Sequence, residues 1–140
     1  MRQTSTYLSF NGTAGEAMRF YEKVLGAKLD RLIKYGDLPP SPQTPPGGAD
    51  KVLHAQLTFV NGDVLMASDW AGGGAYEGMK GFSVTLDYES EQEAGRIFAG
   101  LADGGYVLVP LQPSFFAKAF GMVVDRFGTP WMVSGGAIKG

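Results

Sequence analysis

The chain has no cysteine. Disulfide staples, thiolate nucleophiles and cysteine-held metals are therefore excluded. It has a single histidine, His54, and a lone imidazole does not make a site by itself. It has little net charge: −2 from 12 basic and 14 acidic side chains, too weak a field to gather nucleic acid or an anionic membrane. No apolar run approaches the roughly 18 residues of a membrane span. The N-terminus lacks the apolar core of a signal peptide. A soluble, cytoplasmic protein with neither nucleic-acid nor membrane partners is the expectation.

What is present is a pattern used twice. Thr13-Ala14-Gly15-Glu16 and Ser90-Glu91-Gln92-Glu93 both read as capping boxes, in which a hydroxyl accepts from a backbone N–H three residues on while a glutamate reaches back. Behind the first, Ala17, Phe20, Tyr21 and Val24 fall at i, i+3, i+4, i+7; behind the second, Ala94, Ile97, Phe98 and Leu101 do the same. An alternating run precedes each helix, at Tyr7-Leu8-Ser9-Phe10 and at Phe82 to Leu86. Two or three more strand-like runs follow each, the last two turning at Asn61-Gly62 and at Phe127-Gly128. The pattern predicts a βαβββ unit used twice.

The helical boxes are displaced by 77 positions and the glycine turns by 66, so the second copy is shorter between helix and hairpin. The proline-rich segment Gly36 to Gly48 accounts for most of the difference. It can hold neither helix nor central strand, because proline lacks the amide donor and fixes φ. Strands are expected at Thr4 to Asn11, Ala27 to Tyr35, Val52 to Val60, Asp63 to Trp70, Phe82 to Tyr88, Tyr106 to Leu111, Phe120 to Arg126 and Pro130 to Ser134. Helices should run to about Leu25, with Gly26 ending the first, and from about Glu91 to Ala102. Ala71 to Met79 reads as the connection between the copies. At 140 residues the chain suits one domain, with modules at about 4–70 and 80–135.

A duplicated βαβββ unit in so short a chain resembles the vicinal oxygen chelate (VOC) superfamily, which includes glyoxalase I, extradiol dioxygenases and bleomycin-resistance proteins. Four segments in order are similar to its PhnB-like group: Tyr7-Leu8-Ser9-Phe10-Asn11-Gly12, Glu16-Ala17-Met18-Arg19-Phe20-Tyr21, His54-Ala55 with Leu65-Met66-Ala67-Ser68-Asp69, and Phe120 to Trp131. The resemblance implies an α+β fold in which tandem βαβββ modules form a glyoxalase-like open barrel with helices outside. It also implies a homodimer. Members of the group often carry a demethylubiquinone methyltransferase label, but no glycine-rich loop here joins a strand to a helix as an adenosyl-methionine site requires.

Enzymes of this superfamily hold a divalent metal with histidine and carboxylate ligands from the first and last strands of each unit. Here the resemblance puts those positions among Ser5, Thr6 and Tyr7, among Lys80, Gly81 and Phe82, near Met66 or Ala67, and near Met132 or Val133. None offers imidazole or carboxylate, so no metal or other cofactor is expected. His54 shares a strand face with Gln56 and Thr58. It is either a structural histidine donating to a neighbouring carbonyl, or a general base or hydrogen-bond donor lining a cavity. Its counterpart in the second copy is Phe120.

Met66 and Met132 sit at matching points, where thioethers either pack a core or conform to an apolar ligand. Trp70, Trp131, Phe115 and Phe116 either fill the fold or stack on a planar ligand. Phe115-Phe116-Ala117-Lys118 stands where the group typically carries Phe-Trp-Gly and a basic residue. Asp125-Arg126, placed in a strand, should face opposite ways, with Asp125 in a structural pairing. The candidate ligand-binding set is His54, Gln56, Met66, Trp70, Phe116, Lys118 and Met132, with His54 the candidate catalytic residue. Two functions fit. One is a metal-free small-molecule-binding module with an apolar cavity; the other is a glyoxalase-like or lyase-like VOC enzyme acting on a small oxygenated substrate.

Overall fold

A computed structural model describes residues 1–138 except 43, 46, 72 and 73. The expected proline-rich loop and the glycine-rich connection therefore each lie partly outside the described residues. The chain divides into two compact units, Met1–Gly78 and Met79–Gly140.

The first unit runs β1 (Thr6–Phe10), α1 (Ala14–Leu25), β2 (Lys28–Lys34), a short 3-10 turn (Tyr35–Asp37), β3 (Val52–Thr58) and β4 (Val64–Asp69). Its four strands lie in the order β1-β4-β3-β2, with β1 parallel to β4 and the other pairs antiparallel. The second unit repeats this with β5 (Val84–Tyr88), α2 (Glu91–Ala102), β6 (Tyr106–Gln112), β7 (Ala117–Val124) and β8 (Pro130–Ala137), in the order β5-β8-β7-β6. Each unit is a βαβββ module, and the fold class is α+β. Neither helix is long and apolar enough to cross a membrane.

The period-two pattern of each strand decides what is buried. In the first unit Leu8, Phe10, Ala55, Leu57, Leu65 and Ala67 are buried, and α1 packs on β3, β2 and β4. Tyr7, Ser9, His54, Gln56, Thr58, Met66 and Ser68 point the other way and are half-buried or exposed. In the second unit Ala117, Ala119, Val123, Trp131 and Val133 are buried, and α2 packs chiefly on β8 and β7. The hairpin turns match: Gly62 and Gly128 have φ of 95° and 94°, a left-handed backbone that favours glycine.

Several expectations need correction. The buried stripe of α2 is the expected Ala94, Ile97, Phe98 and Leu101, but that of α1 is Ala14, Ala17, Met18 and Tyr21. Docking on the sheet rotates α1 toward its N-terminal residues and leaves Phe20 and Val24 half-buried. Only one capping hydroxyl is used. Ser90 Oγ accepts from Glu93 N at 3.1 Å, whereas Thr13 makes no side-chain cap.

In place of Thr13, Asp69 Oδ1 at the end of β4 accepts from Ala14 N at 2.9 Å, and its Oδ2 accepts from Val52 N at 2.8 Å. Asp125 and Arg126 lie beyond the end of β7, in the turn. The buried Asp125 carboxylate accepts from Phe127 N at 2.8 Å, Thr129 N at 3.2 Å and Trp131 Nε1 at 2.8 Å. Exposed Arg126 pairs with Asp103 at 3.2 Å. Strand β5 begins at Val84, two residues after the expected start.

Candidate functional site

The side of each sheet away from its helix carries the candidate residues. In the first unit, register places Tyr7 beside Met66 and Met66 beside Gln56, with Arg31 of the edge strand extending the row. His54 lies two residues before Gln56 and so shares its face. Tyr7 Oη and His54 Nδ1 are 3.1 Å apart, and the two ring centroids are 5.7 Å apart. This aromatic hydroxyl, not a carbonyl, is the partner of His54. Tyr7 was missed as a hydrogen-bonding member of the site, because the contact reaches across the central strand and spans 47 positions of sequence.

Trp70 follows β4. Its backbone N–H donates to Phe10 O at 2.6 Å and its indole N–H to Gly74 O at 3.3 Å, so its polar edge is turned to the following segment. His54, Gln56 and Met66 are thus brought onto one face, while the Trp70 indole is engaged beside it. Tyr76 donates its hydroxyl to Ser9 O at 2.7 Å, and burial pushes its phenol up from the usual range.

In the second unit the matching row is Thr85, Met132 and Met122. The next row on the same face is Asp87, Ser134 and Phe120, in which Ser134 Oγ donates to Asp87 Oδ1 at 3.0 Å. The Phe116 ring stands edge-on to Phe120 with centroids 5.1 Å apart, and Phe115 stands edge-on to Phe116 at 5.1 Å. The Lys118 side chain is exposed, and its stem lies close beside Gly136. Phe116 and Met132 therefore share this face, with Lys118 alongside, and Phe120 and Met122 complete it. Trp131, considered above for stacking, is fully buried on the helix side and hydrogen-bonded to Asp125. It belongs to the core.

The first and last strands of each unit are where the resemblance places metal ligands. Register pairs Thr6 with Leu65 and Val84 with Trp131, so the counterpart of Thr6 is Val84 and that of Tyr7 is Thr85. The expected positions Lys80, Gly81 and Phe82 precede the strand. On the open faces these places hold Tyr7, Met66, Thr85 and Met132. Among the described residues no three histidine, aspartate or glutamate side chains come together as a metal set. A phenol, a threonine hydroxyl and thioethers do not fit a hard divalent ion.

The strand-to-helix connections are equally uninviting to adenosyl-methionine. Residues 11–13 contain one glycine, and 89–90 contain none.

Residues 2–134 match the model of the 3-demethylubiquinone-9 3-methyltransferase family. The chain is 34% identical to protein YjdN of Escherichia coli K12 over 138 residues, covering 93% of this chain and 92% of that one. Among solved structures it is 43% identical to protein PA1353 of Pseudomonas aeruginosa, with a TM-score of 0.86 and coverage of 96% and 98%. It is 27% identical to a putative 3-demethylubiquinone-9 3-methyltransferase, PhnB protein, of Bacillus cereus, with a TM-score of 0.77 and coverage of 96% and 99%. The fold alone extends to a glyoxalase-related enzyme of Fulvimarina pelagi, at 17% identity, TM-score 0.62 and coverage of 96% and 88%. Duplicated modules, shared segments and the family match agree: the chain belongs to the 3-demethylubiquinone-9 3-methyltransferase family and has a glyoxalase-like fold.

Proposed function

We propose that this chain is a metal-independent small-molecule-binding protein that acts as a homodimer and takes its ligand on the open sheet faces. The observation that carries the reading is the pair of matched rows, Tyr7-Met66-Gln56 and Thr85-Met132-Met122. Thioethers occupy the middle of both, where an unbranched, polarisable side chain adapts to varied apolar shapes. Around Met66 stand His54 and Gln56, able to hydrogen-bond a polar ligand atom. On the face of Met132, Phe120 lies one row away and Phe116 stands against Phe120, offering aromatic surface, while Lys118, farther along the strand of Phe120, offers a charge. The family name implies methyl transfer, but the short connections at 11–13 and 89–90 supply no phosphate- or nucleoside-binding loop, so that activity is not part of the reading.

The test is a thermal-shift screen of small organic molecules on protein purified without chelator, with elemental analysis of the same sample. Ligands that raise the melting temperature in metal-free protein, and lose that effect in His54→Ala with folding intact, support the reading. Stoichiometric zinc, nickel, manganese or iron would establish the metalloenzyme instead. A mass of one chain in solution removes the homodimer.

A further inference from the structure

The Tyr7–His54 contact specifies more than proximity. A phenol is a good hydrogen-bond donor and a poor acceptor, because its oxygen lone pair is delocalised into the ring, whereas an imidazole nitrogen is a strong acceptor. The 3.1 Å contact is therefore best satisfied with Tyr7 donating to Nδ1, which fixes neutral His54 as the Nε2–H tautomer. The remaining ring N–H is then a donor on a half-buried face that also carries the Gln56 amide, and Arg31 lies in register with Gln56. Arg31 forms no ion pair among the described residues. The neighbouring acid, Asp30, accepts from Thr58 Oγ1 at 2.6 Å.

We propose that Tyr7 and His54 form an oxygen-binding pair and that the ligand of the first unit's open face is an organic carboxylate. Nε2–H of His54 and the Gln56 amide donate to its oxygens, the Arg31 guanidinium supplies the opposite charge, and Met66 receives its apolar part. Tyr7 is a positioning residue, acting through the imidazole. The inference rests on the small-molecule-binding reading and narrows it to one ligand class.

Because the chain has one histidine, ring nitrogen signals in a 15N-labelled sample are unambiguous. At pH about 8, the wild type should show the Nε2–H tautomer with a hydrogen-bonded Nδ1. Benzoate should shift the His54 ring signals saturably, and benzyl alcohol should not. Tyr7→Phe removes only an exposed hydroxyl. It should move the Nδ1 signal and weaken benzoate roughly fivefold, the value of one net hydrogen bond.

A predominant Nδ1–H tautomer in the wild type, which needs no variant to observe, overturns the inference. So does an equal response to benzoate and benzyl alcohol, or unchanged benzoate affinity in Tyr7→Phe. Silence of the His54 ring toward benzoate, while other fragments stabilise the protein, overturns this inference and leaves the broader reading standing. A chain that no fragment stabilises loses both.

Discussion

Asp69 and Gly135 stand at matching positions of the two units, each in the last strand and each beside the N-terminus of its helix. Register shows the correspondence, since Asp69 pairs with Phe10 as Gly135 pairs with Tyr88. In the first unit a carboxylate fills the gap and accepts from Ala14 N and Val52 N. In the second no side chain is present and the helix closes in. A Cβ on Gly135 would meet Ser90 O and stand 2.6 Å from Ala94 Cβ. One fold therefore docks its helix twice by opposite means.

Removing the carboxylate should be costly. Asp69→Ala leaves two backbone N–H groups without their acceptor at a site only 3% exposed, and each such loss is worth about 1–3 kcal/mol. A fall of about 2–4 kcal/mol in urea unfolding free energy is expected, with Asp69→Asn less severe because one acceptor remains. Wild-type stability in Asp69→Ala would refute the bridge.

The reverse change at the other unit should also destabilise. Gly135→Ala forces α2 away from β8, and overpacking of this kind typically costs about 1–3 kcal/mol. Denaturation midpoints report it. An alanine accommodated without loss would mean that α2 is not held as closely as described.

The two caps make a matched pair. Ser90→Ala deletes the bond to Glu93 N and should cost about 1 kcal/mol. Thr13→Ala deletes no capping bond and should change stability by no more than about 0.5 kcal/mol. Equal losses in the two variants would contradict the contrast.

Tyr88 gives a prediction in alkali. Burial, with the nearby Glu93 charge adding and Arg96 opposing, pushes its phenol up to about 12 from 10.0. The unfolded chain gives up this proton first, so the folded state holds more protons between about pH 10 and 12. The contribution of Tyr88 is complete below pH 10 and is lost as pH rises through 12. Absorbance titration should show late-ionising tyrosine, with one late group fewer in Tyr88→Phe; a profile whose late portion is identical in both proteins would count against the shift.

The local and periodic features of the fold were legible in the residues. Strand alternation at Tyr7-Leu8-Ser9-Phe10, the α2 stripe and the hairpin glycines Gly62 and Gly128 follow from short-range spacing, and the equivalence of His54 with Phe120 from the 66-residue displacement of the repeat. The resemblance carried the family. The docked face of α1 was not legible, because Ala14 and Met18 are no more apolar by pattern than Phe20 and Val24, and the sheet chooses among them. The extents of β5 and β7 were likewise set by pairing partners, which left Asp125 and Arg126 in a turn.

What the amino-acid sequence determined alone is the duplicated module and the residue types on each strand face, since both depend on periods of two and 3.6 residues. What tertiary structure alone decided is which polar groups meet. Asp69 finds Ala14 and Val52 across 55 and 17 positions, and Tyr7 finds His54 across 47. Strand order β1-β4-β3-β2 brings these residues together, and no spacing along the chain encodes a contact that arises only when strands distant in sequence become neighbours.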